Sequence, residues 1–195
     1  CKSMVTASKS SNRNRGKMMS ELVTRERILE ILDYDPETGI FTWKHRPNHQ
    51  NARGISVFNK RFAGTPAGTI DGSERGQKYR FIGISGKIYR SSHLAWVIAT
   101  GSWPKGQIDH RDVDGLNDRL ENLREATGTL NCANRFGRSR QGLPKGVRIA
   151  KKKFAAQIGF KRKNFHIGTF DTIEAAHAAY CVAAVSYFGE FARFD

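Results

Sequence analysis

The sequence predicts an α+β protein. Three observations predict it. Residues 108–136 read as strand, long polar loop, strand and helix. Residues 143–195 read as a separate three-stranded antiparallel sheet packed on one helix. Upstream lie two hairpin-like stretches, each joined to a short apolar helical run. The expected division is a tail at 1–20, a helix and hairpin at 21–60, a central unit at 61–136, a linker at 137–142 and a last unit at 143–195.

In order, residues 1–20 carry +5 with no acidic residue and little to bury, so disorder is expected. The chain begins with Cys, and Met18 or Met19 is the expected natural start. Residues 21–32 have Leu22, Ile28, Leu29, Ile31 and Leu32 at helical spacing. Residues 34–43 read as a hairpin, with Pro36 at the first corner and Gly39 at the left-handed position. Residues 44–60 are polar and read as irregular, with His45 and His49 as surface histidines. Strands are expected at 67–70, Tyr79–Ile84 and Lys87–Arg90, then a helix at 92–100 ended by Gly101. Trp96 and Trp103 read as core. A strand ends at Asp109 with His110 following it, the next starts at Asn122, and a helix covers 128–136. In the last unit, strands are expected at 146–149, 154–160 and 165–170, with KKK and KRK at the two turns. Asp171-Thr-Ile-Glu174 resembles a capping box opening a helix over 172–188.

Composition narrows the partners. There are 33 Lys and Arg against 18 acidic residues, a net charge of +15. A clustered surplus of that size favours a polyanion, because each neutralised phosphate releases a condensed counterion. Residues 105–142 are nearly neutral, at +1, whereas 143–195 carry +5. Cys1, Cys132 and Cys181 have no paired spacing, which argues against a disulfide or zinc framework. No apolar run reaches the length of a membrane span, and an intracellular location is expected, in a bacterial host or virus-encoded.

The chemistry gathers at residues 108–131, IDHRDVDGLNDRLENLREATGTLN. Asp109 and Asn131 offer hard oxygens, which suit one Mg²⁺ or Mn²⁺ with positions left for water and phosphate. His110 is suited to take a proton from water. Asn122 can hydrogen-bond across the loop and hold it. Asp109 and His110 are neighbours on a strand, so a shared centre requires the strand to fray or bulge there. A calcium loop nearly fits His110 to Glu121, but its first position is His, its eighth is Asn117, and no helix enters it.

Asp109, His110, Asp114-Gly115, Asn117, Asn122-Leu123-Arg124 and Asn131 together resemble the HNH nuclease family, in its phage and intron-encoded homing form. The resemblance covers residues 21–135. It implies a ββα-metal core at 61–136, metal ligands Asp109 and Asn131, a general base His110 and an orienting amide Asn122. In YRSSHLAW, Ser92 and His93 stand where that family has His and a basic residue, so neither receives a role.

Residues 143–195 resemble the plant ethylene-response-factor DNA-binding domain, through Gly146-Val147-Arg148, His166-Ile167-Gly168-Thr169-Phe170, Glu174-Ala175-Ala176, Ala179-Tyr180 and Phe188-Gly189-Glu190. That resemblance implies a sheet entering the major groove, with Arg148, Lys152, Gln157, Lys161, Arg162 and His166 as candidate contacts. The expectation is a monomeric, metal-dependent, sequence-directed endonuclease nicking double-stranded DNA. The rivals are a non-catalytic DNA-binding regulator and a nuclease acting on RNA or without sequence choice.

Overall fold

The computed structural model describes residues 22–47, 52–72, 76–135, 137 and 142–195. The expected tail at 1–20, the proposed start at Met18 or Met19, and His49 lie outside them. Among the described residues the chain is α+β, with five α-helices and four small antiparallel sheets.

Helix α1 (Arg25–Ile31) is shorter than the expected 21–32. Its cap is the Thr24 hydroxyl, which accepts from the Arg27 N–H at 3.2 Å. Leu32, expected in the helix, instead opens strand β1 (Leu32–Asp35), which pairs with β2 (Ile40–Trp43). The turn between them closes through the Gly39 N–H on the Asp35 carbonyl at 2.8 Å. Gly39 has φ +74°, and a Cβ there would lie 2.6 Å from the Asp118 and Arg119 backbone. The hairpin is thereby pressed against a loop far along the chain.

The expectation of irregular chain over 44–60 is overturned, because Ala52–Phe62 forms helix α2. Ile55, Phe58, Asn59 and Phe62 follow helical spacing and are its half-buried face. Phe58 meets Trp43 edge to face at 5.5 Å, and the Arg46 guanidinium lies 3.6 Å from the Phe58 ring centre. The polar residues between these positions mask the pattern. His45 is exposed.

Strands β3 (Thr69–Asp71), β4 (Tyr79–Ile84) and β5 (Lys87–Arg90) form one sheet, in that order. The first was expected two residues earlier; Ala67 instead donates its N–H to Phe41 at 2.7 Å, tying this sheet to the hairpin. Helix α3 (Ser91–Thr100) follows β5 directly and ends at Gly101. Ile28, Leu32, Phe41, Ile82, Ile84, Leu94 and Val97 form the core of this part, with Trp96 and Trp103 packed against it. Strand β6 (Gln107–His110) pairs with β7 (Leu123–Ala126), and helix α4 (Gly128–Ala133) follows, capped by the Thr127 hydroxyl. Asn122 does not start the strand; it closes a 3₁₀ turn, Leu120–Asn122, just before it.

Strands β8 (Val147–Ala150), β9 (Lys153–Phe160) and β10 (Lys163–Phe170) form a sheet with β9 in the centre. Helix α5 (Ile173–Phe188) packs on one side of it, burying Ala176, Tyr180, Ala184 and Phe188. Small residues one turn apart let the helix approach closely. Ile158 and Phe188 each contribute about 1.5–3 kcal/mol by leaving water. The helix cap is Thr172, accepting from the Ala175 N–H, not Asp171 as the capping-box spacing suggested. Asp171 instead pairs with Lys153 at 2.9 Å. Gly146, at φ +80°, leaves room for the Tyr180 ring, which a Cβ would meet at 2.0 Å.

Candidate functional site

The β6–β7 register places Asp109 opposite Arg124 and His110 opposite Leu123. Cross-strand partners share a face, so the Arg124 fork reaches Asp109 Oδ2, with Nε and Nη2 both at 2.9 Å. Asn134, one helical turn beyond Asn131, donates from Nδ2 to Asp109 Oδ2 at 3.0 Å and to the His110 carbonyl at 2.7 Å. Both Asp109 and Arg124 are buried. Arg124 is held from behind as well. Its guanidinium carbon lies 3.6 Å from the Phe191 ring centre, and Nη1 donates to the Glu190 carbonyl at 2.7 Å. The short 3₁₀ turn Gly189–Phe191, at the end of α5, thus leans on the site.

The expected fray or bulge at His110 is absent. The ladder runs in register through His110, and the Arg111 N–H continues it onto the Asn122 carbonyl at 2.9 Å. Strand alternation then turns the two side chains apart. Asp109 faces Arg124 and Asn134, while the imidazole Nε2 of His110 lies 3.0 Å from Asp118 Oδ1. Both residues still line one cavity of about 30 Å³, with Gln77, Tyr79, Arg90, Asn131 and Asn134 among its walls. That volume is about the share of one water.

Asn131 donates from Nδ2 to Gln107 Oε1, and Gln107 shares the Asp109 face of β6. Asn122 lies in the loop, away from that cavity's walls. It accepts from the Asp112 N–H at 3.1 Å and donates to Asp112 Oδ1 at 2.9 Å and to the Asn117 carbonyl at 2.8 Å. Asp112 is partly desolvated, which raises its pKa. Bonds from the Asn117 amide, the Asp114 N–H and the Asn122 amide outweigh this and hold it below the usual carboxylate range. Asp114 likewise accepts from the Leu116 N–H at 3.0 Å. These carboxylates are turned into loop bonds, which leaves no calcium cage. Among the described residues no three His, Cys, Asp or Glu side chains gather as a metal cluster.

His93 is half-buried; burial first, then the nearby Arg90 charge, lowers its pKa. Its Nδ1 is buried without a hydrogen bond. Tyr34 donates its hydroxyl to the Asp118 carbonyl at 2.8 Å. Burial, then the Asp118 and Asp35 charges, push the Tyr34 hydroxyl up to about 12, so it stays a donor.

Arg148, Gln157 and His166 share the sheet face away from α5. Gln157 is opposite His166, and Arg148 Nε donates to Gln157 Oε1 at 3.0 Å. Lys152 sits at the β8–β9 turn, and Lys161 and Arg162 at the opposite end of β9. A cleft of about 650 Å³ between α4 and this sheet includes Thr129, Lys145, Gln157, Lys161 and Arg162 in its walls. No Asp or Glu lines it, which suits phosphate rather than a hydrolytic metal.

The sequence reading missed Arg124 as a partner of Asp109, and it missed Asn134 and Asp118 altogether. Arg124 could have been found by counting the hairpin register from the Gln107–Ala126 pair. Asn134 repeats the Asn131 position one turn on. Asp118 has no local mark.

Residues 89–131 match the family described as HNH endonuclease. The match contains Asp109, His110, Asn122 and Asn131 and does not reach residues 143–195. It supports a nuclease of the HNH type for this stretch. A comparison with curated proteins finds no match. No helix among the described residues is long and apolar enough to cross a membrane.

Proposed function

We propose that this chain is a metal-dependent endonuclease that nicks double-stranded DNA at a chosen sequence, of the homing type. The observation that carries the reading is the cavity of about 30 Å³ lined jointly by Asp109, His110 and Asn131, three residues of the stretch that matches HNH endonucleases. In this reading residues 61–136 are a ββα-metal nuclease unit, and 143–195 an ethylene-response-factor-like unit that reads DNA.

The donors fit a hard divalent cation. Asp109 Oδ1 accepts one bond, from Asn134 at 3.1 Å, and so keeps lone pairs for an ion. Asn131 uses its nitrogen toward Gln107, which leaves its amide oxygen as a ligand. Asp109 and Asn131 would hold Mg²⁺ or Mn²⁺, one ion per site. When bound, such an ion neutralises charge on the scissile phosphate and the leaving oxygen. His110 takes the proton from the water that attacks phosphorus. Asn122 keeps the loop between β6 and β7 closed, so that His110 stays on its strand. Arg148, Gln157 and His166 on the sheet face would meet base edges, while Lys152, Lys161 and Arg162 would meet phosphates. One site in a monomer yields one nick.

Purified protein with Mg²⁺ should relax supercoiled plasmid. His110→Ala should lose this while keeping DNA binding; equal cleavage by the variant refutes the role of His110. One observation favours a non-catalytic DNA-binding regulator: Arg124 already neutralises the Asp109 carboxylate. That reading gains if binding ignores chelator and no divalent ion supports nicking.

A further inference from the structure

We propose that Asp118 is the positioning residue of His110: it selects which imidazole nitrogen is free, and hairpin β1–β2 holds it in place. This rests on His110 being the proton acceptor, as read above.

Asp118 is 1% exposed. A carboxylate that deep is costly unless its oxygens are bonded. Here both are. Oδ1 lies 3.0 Å from His110 Nε2, and Oδ2 accepts the Ser91 hydroxyl at the start of α3. Its backbone is fixed too, by the Tyr34 hydroxyl on its carbonyl at 2.8 Å and by Gly39 closing on its peptide. Two elements outside residues 89–131, β1 and the β1–β2 turn, therefore converge on this one residue. No Lys or Arg among the described residues pairs with it. Its charge also reaches Tyr34 and His93, but among the described residues the ionisable side chain at hydrogen-bond distance from its carboxylate is His110, which lines the cavity with Asp109 and Asn131.

The consequence follows from hydrogen-bond chemistry. An ionised carboxylate only accepts, so Nε2 must carry the hydrogen. A neutral imidazole with Nε2–H has its lone pair on Nδ1. His110 Nδ1 has no hydrogen-bond partner among the described residues. The proton leaving water would therefore go to Nδ1: the water O–H bond breaks, the Nδ1–H bond forms, and Asp118 keeps its charge throughout. Asp118 touches neither substrate nor ion; it acts by holding the ring.

The test uses the full chain. The ¹⁵N and ¹³C shifts of the neutral His110 ring report its tautomer, independently of any cleavage. The wild type should show the Nε2–H form. Asp118→Asn offers an amide N–H to the ring and should raise the Nδ1–H form. Its kcat for plasmid nicking should fall by about 10- to 100-fold, with KM and Mn²⁺ affinity unchanged. Ser91→Ala loosens the same carboxylate and should move tautomer and kcat the same way by less; it decides the matter if Asp118→Asn fails to fold. A wild-type ring in the Nδ1–H form overturns the proposal, as does a folded Asp118→Asn protein with wild-type kcat. If the wild type never nicks DNA, the functional reading falls, while the tautomer still decides the Asp118–His110 relation.

Discussion

Replacing Arg124 by alanine strands the Asp109 carboxylate. Asp109 is 5% exposed and Arg124 6% exposed, so neither can turn to water for compensation. The substitution removes two contacts of 2.9 Å and leaves the Asn134 amide as the side-chain donor to that carboxylate. Breaking a buried pair from one side costs about 3–5 kcal/mol. Loss of the stacking on Phe191, at 3.6 Å, adds about 0.5–2 kcal/mol. These losses overlap at one side chain, so about 4 kcal/mol is expected, or about 8–16 °C in Tm for a chain of this length. Thermal unfolding in the presence of chelator measures it. Adding Mg²⁺ or Mn²⁺ should then stabilise Arg124→Ala more than the wild type, because the cation supplies the missing positive charge beside Asp109. A loss below about 1 kcal/mol in chelator would refute the claim that this buried pair holds the site.

Gly39→Ala should destabilise the fold by about 1–3 kcal/mol through its left-handed φ, with more from the clash against the Asp118 backbone; urea unfolding reads it. Asp112 has a folded pKa below its unfolded value, so its contribution is present above the unfolded value and lost as pH falls through the folded one. Stability should drop in acid below about pH 4, and Asp112→Asn should flatten that limb of a urea midpoint-versus-pH curve. Lys161→Ala and Arg162→Ala should each lower the salt slope of DNA affinity by about one, measured by fluorescence anisotropy; unchanged slopes would remove the β9–β10 turn from the phosphate contacts.

Much of the fold is written in local pattern. Tyr79–Ile84 and Lys87–Arg90 were legible because Ser85-Gly86 separates two alternating runs. The apolar run of α3, ended by Gly101, and the strands around the KKK and KRK turns were legible for the same kind of reason. Helix α2 was not, because its half-buried face of Ile55, Phe58, Asn59 and Phe62 is interleaved with polar residues. It packs through Arg46 and Trp43, residues outside the helix itself.

The site divides in the same way. Asp109, His110, Asn122 and Asn131 could be picked out by residue type and spacing, and the basic balance pointed to a polyanion, since both belong to the chain whatever its shape. The partners of those side chains belong to the tertiary structure. The β6–β7 register set Arg124 on Asp109, the end of α5 braced Arg124 across 66 residues, and the first hairpin reached Asp118 across 84. Spacing along a chain cannot convey such pairings, because register and packing of distant elements, not local propensity, decide which donor meets which acceptor.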